Sequence, residues 1–287
     1  MTKHKISFQG ELGANSHIAC LEACPTYEPL PCRTFEDAFQ AVSEGTAKLA
    51  MIPIDNSVAG RVADIHHLLP AANLNIIGEH FLPIHHQLVV GRGTKLGDLK
   101  SVHSHVHALG QCRKVLRKHK WSAVVAVDTA GAARELSEHP DKTRAAISSA
   151  LAAKIYGLDI LLKDIEDEDH NTTRFIILSK TKKNATAKSG PVMTSFVFRV
   201  RNVPAALYKA MGGFATNGVN MTKLESYQIE GQFNATQFYA DIEGHPTDRS
   251  VKLALEELAF FTSHMKVLGT YPASPFRAII AKRLPAE

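Results

Sequence analysis

The sequence predicts an α/β protein with two domains. Three observations support this: a length of 287 residues, a first part in which strand-like and helix-like runs alternate, and a last part with a different order of elements. Because domains usually have roughly 100–200 residues, this length suits two of them. Strands that alternate with helices of about ten residues are typical of largely parallel sheets.

The alternation occurs in two successive blocks, which predicts two lobes with a cleft between them. In residues 35–44, apolar side chains recur at the three-and-four spacing of an amphipathic helix. The first block has predicted strands at 6–9, 49–54, 75–79 and 84–91, and predicted helices at 16–22, 35–44 and 64–69, the last ending at Pro70. The second block has predicted strands at 101–103, 123–127, 145–147 and 175–178, and predicted helices at 108–118, 130–138 and 149–156.

The pattern changes after a polar run at 179–190 (SKTKKNATAKSG), which is typical of a linker. Beyond it the predicted order is βαββαβ, a ferredoxin-like unit. Its predicted strands are 194–200, 219–229, 233–242 and 265–271, and its predicted helices are 205–217 and 247–263, with a Glu-Gly turn at 230–231. We therefore expect a catalytic domain at 1–180, a linker at 181–192 and a second domain at 193–287.

Composition limits the classes of function. The chain is 45% hydrophobic and 21% charged, as in globular proteins. Its net charge is +5, but the basic residues form no stripe with interleaved aromatics, so a small acidic substrate is expected rather than nucleic acid. No run approaches the ~20 apolar residues of a membrane span, and the start lacks a signal-peptide core, which predicts a cytoplasmic protein. Four cysteines without a CxxC pair predict reduced thiols.

Residues 53–60 (PIDNSVAG) form the first loop that could carry chemistry. They follow a buried strand, and we expect the next helix to begin at Asn56 or Ser57. Unpaired N–H groups at a helix start bind anions. The alternative is that Asn56 or Ser57 is a simple helix cap.

Residues 171–175 (NTTRF) gather hydroxyls, an amide and a guanidinium at the start of an apolar strand. The alternative is that Arg174 pairs with Asp167 or Asp169 on a surface turn. Residues 9–16 (QGELGANS) form a glycine-bearing loop that is too loose for a dinucleotide-binding fingerprint.

Histidines alternate at 103, 105 and 107, and a strand would place all three on one face. No acidic or cysteine ligands lie nearby in the sequence, so capping or solvent-facing histidines are expected rather than a metal site. The adjacent pairs at 66–67 and 85–86 point in different directions on either kind of element. The sequence predicts no metal and no cofactor.

Together these segments resemble the prephenate dehydratase family. Six segments match the family's motifs in the expected order: 8–19 (FQGELGANSHIA), 52–60 (IPIDNSVAG), 104–112 (SHVHALGQC), 128–134 (DTAGAAR), 145–153 (AAISSALAA) and 171–175 (NTTRF). Asp55 and His17 stand where many relatives have glutamate. The resemblance implies a two-lobed, periplasmic-binding-protein-like (type II) catalytic domain, followed by a ferredoxin-like ACT regulatory domain.

The resemblance also implies a function. The chain is expected to be a carbon–oxygen lyase that converts prephenate to phenylpyruvate in phenylalanine biosynthesis, without a cofactor. Thr173 is implied as the residue that donates to the departing hydroxyl. The implied substrate-binding residues are Asn56, Ser57, Gly60, Ser104, Thr129, Asn171, Arg174 and Phe175.

For the ACT domain, the resemblance implies that L-phenylalanine binds as an effector between paired domains, in a homodimer or homotetramer. Residues 204–207 (PAAL) stand where the family has Gly-Ala-Leu, and residues 225–228 (ESYQ) stand where it has Glu-Ser-Arg-Pro. The implied effector-binding residues are Pro204, Ala205, Ala206, Leu207, Asn217, Asn220, Glu225 and Ser226.

Two other functions stay open at this point. An arogenate dehydratase would use the same site on a substrate with an amino group in its side chain. A two-lobed protein that binds a small anion without catalysis would share its architecture with periplasmic solute-binding proteins. The NTTRF loop and the lack of a signal peptide favour an enzyme.

Overall fold

The computed structural model describes residues 3–62, 65, 67–186, 190–201, 203–228 and 235–282. Contacts between residues divide the chain into two compact units. Unit 1 comprises Met1–Ala63 and His80–Phe175, and unit 2 comprises Asp64–Glu79 and Ile176–Glu287. The domain limits 1–180, 181–192 and 193–287 stay a prediction.

The first sheet is a largely parallel βαβ arrangement. Its strands are β1 (Lys5–Gln9), β2 (Glu28–Cys32), β3 (Leu49–Asn56), β4 (Gly60–Arg61), β5 (Asn75–Pro83) and β11 (Thr172–Ser179). Their order is β2-β1-β3-β11-β5, with β4 paired to β3, and β1 is parallel to both β2 and β3. Helices α1 (Asn15–Ala23) and α2 (Phe35–Ser43) connect the first three strands. Helix α2 starts where predicted, because Thr34 and Asp37 form a capping box.

The second sheet lies in unit 1 and combines two parallel with two antiparallel strand pairings. Its strands are β6 (Gln87–Val90), β7 (Ser101–Ser104), β8 (Ser122–Val125), β9 (Arg144–Ser148) and β10 (Asp159–Leu162), in the order β10-β6-β9-β7-β8. Its helices are α4 (Val106–Gln111), α5 (Arg113–His119), α6 (Thr129–Glu138) and α7 (Ala150–Tyr156), with a 3₁₀ turn at Leu96–Asp98. Strand β11, which follows the second sheet in the chain, lies between β3 and β5 of the first sheet. Strand β6, which follows the first sheet in the chain, lies between β9 and β10 of the second. The predicted two-lobed α/β fold class is confirmed.

Unit 2 contains the predicted βαββαβ order. Its elements are α3 (Leu68–Ala71), β12 (Val192–Val200), α8 (Ala206–Thr216), β13 (Met221–Gln228), β14 (Ala235–Glu243), α9 (Arg249–Phe261), β15 (Thr262–Pro272) and α10 (Pro275–Ala281). The four strands of the repeat form an antiparallel sheet in the order β13-β14-β12-β15. One buried cluster includes Phe196 and Phe198 from β12, Phe214 from α8 and Leu258 from α9. This packing of two helices on one sheet confirms the ferredoxin-like prediction.

Some elements were missed because their sequences carry weak signals. Strand β2 (EPLPC) contains Pro29 and Pro31, which lower strand propensity; it tolerates them because it lies at the edge of its sheet. Strands β4 and β10 are very short. Helix α10 begins at a Ser-Pro pair, with Ser274 as its cap, and this start signal was overlooked.

Two predicted segments differ from the structure, and a third lies outside the described residues. The helix at 108–118 is two helices, broken at Cys112, where φ is −123°. Of the helix at 64–69, residues 64 and 66 lie outside the described residues, and the observed helix α3 contains Pro70 instead of ending there. In a single helical turn the proline removes no hydrogen bond, because first-turn N–H groups have no helical partner. The turn at 230–231 also lies outside the described residues.

Two smaller observations bear on composition. All four cysteines carry free thiols, as their spacing predicted. Across the described ranges, no helix is long and apolar enough to cross a membrane.

The loop between β1 and α1 depends on Gly13, which packs against helix α7. Its φ is +91°, and an added Cβ would lie 2.6 Å from the Cα of Ala152. Its carbonyl accepts from the Ser149 hydroxyl at 2.5 Å, and its N–H donates to His17 Nδ1 at 2.9 Å. The loop therefore requires glycine for its conformation and for the close approach of α7.

We predict that Gly13→Ala lowers the free energy of unfolding by at least about 2 kcal/mol, because a strained φ and a backbone clash act together. Gly45→Ala is the matched control, since Gly45 has φ +85° but nothing within 4 Å. Gly45→Ala should lower the free energy of unfolding only through its strained φ, by about 1 kcal/mol. Urea unfolding of both variants gives the comparison, and equal losses would show that the contact with Ala152 is unimportant.

Candidate active site

A cleft of about 340 Å³ lies in unit 1. It is bordered by the loop before α1, the end of β3, the start of β11, the segment between β5 and β6, and the first turns of α4 and α6. Its polar lining residues are Gln9, Asn15, Ser16, Asn56, His86, His105, His107, Gln111, Asp128, Thr129 and Thr173.

Asn56 and Thr173 meet in this cleft although they are 117 residues apart in sequence. Asn56 is the last residue of β3, and Thr173 is the second residue of the neighbouring strand β11. Asn56 Nδ2 donates to Thr173 Oγ1 at 3.0 Å and to Asn171 Oδ1 at 2.8 Å. All three side chains are buried. The two loops predicted to carry the chemistry therefore form one site.

The orientation of the Asn56 amide is determined by the backbone. Asn56 Oδ1 accepts from the N–H groups of Val58 at 3.0 Å and Ala59 at 2.8 Å, so this end of the amide is the oxygen. The NH₂ end must then face Thr173, whose hydroxyl oxygen accepts. No described residue accepts the hydrogen of that hydroxyl. Because Thr173 lines the cleft, its hydroxyl hydrogen is available to a molecule bound there.

The residues after Asn56 form a hairpin turn, not the expected helix start. Strand β4 pairs antiparallel with β3, Asn56 lies opposite Gly60, and Gly60 has φ +72°. The N–H groups expected to bind an anion are bonded to Asn56 instead. An asparagine that accepts from N–H groups two and three residues later is common to helix caps and tight turns, so the pattern could not separate them. The expectation of a helix at this point was wrong.

The hydrogen-bond network extends beyond the predicted residues. Asn171 Nδ2 donates to Gln111 Oε1 at 3.0 Å, and His86 Nε2 lies 2.8 Å from the same oxygen. Burial lowers the pKa of His86 below its usual value. Sequence reasoning missed both Gln111 and His86. Gln111 belongs to a segment that resembles the family, and His86 to an adjacent pair, but no spacing singled out either side chain.

Of the other predicted binding residues, Thr129 and Phe175 line the cleft, and Asn171 lies behind Asn56. Ser57 and Ser104 lie outside the lining. The Ser57 hydroxyl donates to the His170 carbonyl at 2.5 Å and accepts from the Thr172 N–H at 2.9 Å. The Ser104 hydroxyl donates to the Ile147 carbonyl at 2.7 Å. The geometry gives these two serines a structural role.

Gly60 and Arg174 also lie outside the lining. Arg174 is buried, and its Nη1 lies 3.9 Å from Asp55 Oδ2. Asp167, proposed from the sequence as an alternative partner of Arg174, instead accepts from the Arg113 and Lys114 N–H groups at the start of α5. The surface turn expected for Arg174 was therefore wrong, because this residue belongs to a buried strand.

The N-terminus of α1 supplies positive potential to the cleft, whereas the Asp128 carboxylate caps the N-terminus of α6. The N-cap of α1 is Ala14, which has no side chain to bond the first N–H groups. Asn15 and Ser16 line the cleft, and no described residue accepts from their N–H groups. Thr129 begins α6 at another side of the cleft. The described lining contains no lysine or arginine, so dipoles and uncharged donors would hold an anion there.

The alternating histidines act as the sequence suggested. His105 caps α4 by accepting from the His107 N–H at 3.3 Å, and the two rings meet edge to face at 4.9 Å. His103 Nε2 bonds to the Ser101 hydroxyl at 3.1 Å. The capping interpretation of His105 is confirmed.

Within the described residues, one group of potential metal ligands comes together: His85, Asp164 and Glu166. Glu166 already accepts from His85 Nδ1 and from the His86 N–H, both at 2.8 Å. His85 and Asp164 are largely exposed. This group therefore ties two chain segments together by its own hydrogen bonds.

His17 supports the loop before α1. It stacks on Phe8 with ring centroids 5.5 Å apart, and its Nδ1 accepts from the Gly13 N–H at 2.9 Å. Burial lowers the pKa of His17. An accepting Nδ1 carries no hydrogen, and burial also favours the neutral imidazole.

Comparison with known proteins adds to this geometry. A family model described as prephenate dehydratase matches residues 6–183. The chain belongs to the prephenate dehydratase family. It is accordingly a carbon–oxygen lyase, and the predictions of family, enzyme class and function are confirmed.

Several relatives match nearly the whole chain. A bifunctional N-acyl-homoserine lactone acylase/prephenate dehydratase from Komagataeibacter europaeus is 49% identical over 95% of this chain and 97% of its own. Arogenate dehydratase 2 from Petunia hybrida is 36% identical over 94% of this chain and 72% of its own. A solved prephenate dehydratase from Arthrobacter aurescens in complex with L-Phe is 31% identical, with a TM-score of 0.86 over 99% of this chain and 92% of that one.

For this member of the family, we predict a loss of stability in acid that involves His17. Because the folded state lowers the His17 pKa below 6.5, the unfolded chain binds more protons as the pH falls through that value. The free energy of unfolding should therefore decrease between 6.5 and the lowered pKa, and be fully retained above 6.5.

The control is His17→Asn, whose amide oxygen can accept from Gly13 without titrating. Urea unfolding at about pH 7.5 and about pH 5.5 should show a smaller acid loss in this variant than in the wild type. The other buried histidines contribute equally to both proteins. Identical losses would mean that His17 does not bind protons differently in the folded state.

Proposed function

We propose that the cleft of unit 1 converts prephenate to phenylpyruvate, with Thr173 donating a hydrogen bond to the departing hydroxyl. The observation that carries this proposal is the orientation of the Asn56 amide. Because Asn56 Nδ2 donates to Thr173 Oγ1 at 3.0 Å, the threonine hydrogen is directed away from Asn56. The cleft is where an acceptor for it would bind.

The conversion of prephenate to phenylpyruvate needs a hydrogen-bond donor at the departing hydroxyl. The bond from the ring to the carboxylate breaks, carbon dioxide leaves, and the electron pair enters the ring. The bond to the ring oxygen breaks at the other end, and hydroxide leaves with its electron pair, so an aromatic ring forms without redox change. A donor placed at the leaving oxygen stabilises the charge that develops there. Since an alcohol is a weak acid, Thr173 donates a hydrogen bond, and solvent supplies the proton that forms water.

We assign the two substrate carboxylates to uncharged donors of the cleft. The N–H groups of Asn15 and Ser16 at the start of α1 and the Thr129 hydroxyl at the start of α6 are the candidates. They border the same cleft as the apolar side chains of Ile84 and Phe175. Desolvation there favours loss of the charged carboxylate as neutral carbon dioxide.

Thr173→Ala should lower kcat at least about tenfold, because the leaving oxygen loses its donor. Thr173→Ser is the control, since it keeps the hydroxyl and should retain most of kcat. Phenylpyruvate release from prephenate, followed by its absorbance in base, gives both rates. Near-normal kcat in a folded alanine variant would remove Thr173 from the mechanism, and a wild type without phenylpyruvate release would end the proposal.

Arogenate dehydration is the nearest alternative, because relatives such as the Petunia protein carry that name. Arogenate has an ammonium group where prephenate has a ketone. Asp128 is the one carboxylate among the described lining residues, and it accepts from the Gly131 N–H at 2.7 Å. A pairing of Asp128 with the ammonium group would favour arogenate. Comparison of kcat/KM for the two substrates decides between them.

A second candidate function is hydrolysis of N-acyl-homoserine lactones. It is favoured by the relative that is 49% identical and bears both activities in its name. Among the described lining residues, however, no hydroxyl is hydrogen-bonded to a histidine, the arrangement that activates a nucleophile. Dehydration is therefore better supported. Mass spectrometry of homoserine lactone released from an acylated substrate tests the second function directly.

Phenylalanine is the effector we propose for unit 2, supported by the Arthrobacter complex with L-Phe. The eight implied residues are all described, and they lie at two ends of one helix and on an edge strand. Pro204, Ala205, Ala206 and Leu207 surround the start of α8, Asn217 and Asn220 follow its end, and Glu225 and Ser226 lie on β13. We propose that a second copy of the chain completes the site, in a homodimer or homotetramer.

Titration with L-phenylalanine should change the initial rate of phenylpyruvate release at millimolar or lower concentration, because an effector must bind the two states of an enzyme unequally. D-phenylalanine is the matched control, since it has the same composition and charge. A flat response to both up to millimolar levels would contradict phenylalanine as the effector.

The domain limits 1–180, 181–192 and 193–287 and the cytoplasmic location remain part of this proposal. The free thiols suit a reducing compartment. Within the proposed linker, Ala185 is buried and its N–H donates to the Thr270 carbonyl at 2.9 Å, while residues 187–189 lie outside the described part of the chain.

A further inference from the structure

His86 is a buried histidine of the cleft that the proposed mechanism does not use. Its side chain lines the cleft, and the residue is only 4% exposed. Its backbone is held on both sides, because its N–H donates to Glu166 Oε2 at 2.8 Å and its carbonyl accepts from the Ile165 N–H at 2.9 Å. The imidazole is thus placed by the fold, with one polar partner among the described side chains, Gln111.

The network around His86 determines which of its nitrogens carries hydrogen. Asn171 Oδ1 accepts from Asn56, so Asn171 Nδ2 is the end that donates to Gln111 Oε1 at 3.0 Å. The atom of Gln111 at that point is therefore an acceptor. His86 Nε2 lies 2.8 Å from the same atom and must donate to it. Burial lowers the His86 pKa, so the neutral form with hydrogen on Nε2 is present at neutral pH.

These bonds form a chain in which every donor has a defined direction. It begins at the Val58 and Ala59 N–H groups, passes through Asn56 to Asn171, and continues to Gln111. At the far end of this chain of bonds, His86 Nε2–H donates to Gln111 Oε1. A side-chain amide with only one fixed contact can rotate by 180° and exchange its donor and acceptor ends. Gln111 has three contacts of this kind: its Nε2 donates to Asn56 Oδ1 at 3.5 Å, and its Oε1 accepts from Asn171 at 3.0 Å and from His86 at 2.8 Å. The His86 contact is the shortest of the three and adds to the hold on this amide.

We propose that His86 is a positioning residue for the dehydration: its Nε2–H helps to hold Gln111, and through Asn171 and Asn56 this contact keeps the Thr173 hydroxyl in position in the cleft, while the hairpin turn sets its direction. This inference rests on the proposed function and assigns His86 no contact with the reacting atoms. Without the Nε2–H, Gln111 keeps only the bond from Asn171 and the long contact with Asn56, so the acceptor of Asn171 is held less firmly. The loss should appear in the chemical step, because the Thr173 bond matters most as the hydroxyl departs.

Three variants of His86 test this. His86→Leu removes the donor and should lower kcat at least about tenfold while KM changes less than about threefold. His86→Gln places an amide N–H near the position of Nε2–H and should restore most of kcat relative to the leucine variant. His86→Asn is shorter, cannot reach Gln111, and should behave like leucine while remaining polar. His85→Gln, at an exposed neighbour bonded to Glu166, is the matched control and should keep the wild-type rate.

A double-mutant cycle separates positioning from general support of the fold. In the Thr173→Ala background, His86→Leu should change kcat by less than about threefold, because the group it positions is absent. Equal losses in both backgrounds would overturn the inference, as would a leucine variant with normal kcat or one with a defect confined to KM. Thermal unfolding identifies a variant that fails to fold. If the leucine variant does not fold, kcat of the His86→Asn variant tests the inference in its place.

The outcomes keep the two proposals apart. If the wild type releases no phenylpyruvate from prephenate, the proposed function fails. If the wild type is active and the His86 variants match it, only the positioning role of His86 fails.

Discussion

The orientation of one buried amide, that of Asn56, is the constraint on which the site depends. Its oxygen is bonded to two N–H groups of the hairpin turn, at 3.0 and 2.8 Å, so the turn decides which end of the amide meets Thr173. A flipped amide would remove the partners of the Val58 and Ala59 N–H groups and of the buried Asn171 oxygen, at roughly 1–3 kcal/mol for each group kept from water. The flipped form would then be populated below about 5%. Strand pairing brings Thr173 to Asn56, and the turn gives the contact its direction. The same residue therefore ends a strand, shapes a turn and orients a hydroxyl.

Among the described residues, the cleft lacks the basic side chains that give the whole chain its positive net charge. The net charge of +5 is compatible with an acidic ligand, yet the described lining contains no lysine or arginine. The positive potential comes from the start of α1, because the start of α6 is capped by the Asp128 carboxylate. A full positive charge beside the departing carboxylate would stabilise that group as an anion and oppose its loss. The partial charges of helix ends stabilise the carboxylate of the bound substrate less than a full charge would. Binding therefore raises the barrier to loss of carbon dioxide less. Arg174, the residue that follows Thr173, is buried beside Asp55.

Local sequence signals determined which helices, strands and site residues could be predicted. Helix α2 carries a clear apolar period and a capping box, and the βαββαβ order of unit 2 follows from element types alone; both were predicted. The hairpin after Asn56 was not, because an asparagine bonds to following N–H groups in caps and turns alike. Gln111 and His86 carry no signal of this kind, since their partners are distant in sequence: 60 residues separate Asn171 from Gln111, and 25 separate His86 from Gln111. Resemblance supplied Thr173, but only geometry supplied the direction of its hydroxyl.

The effector residues of unit 2 place a physical limit on regulation. Helix α8 has 11 residues, so its ends are about 16 Å apart. One phenylalanine cannot contact both Ala205 at the start and Asn217 at the end of the same helix. If both ends take part, they come from different copies, with the edge strand β13 a natural place for the copies to meet. Effector binding and association are then one linked equilibrium. By linkage, a ligand that binds only the associated form must also strengthen association, and dilution of the protein must weaken its binding. Sensitivity to phenylalanine would therefore depend on protein concentration as well as on the residues that contact the amino acid.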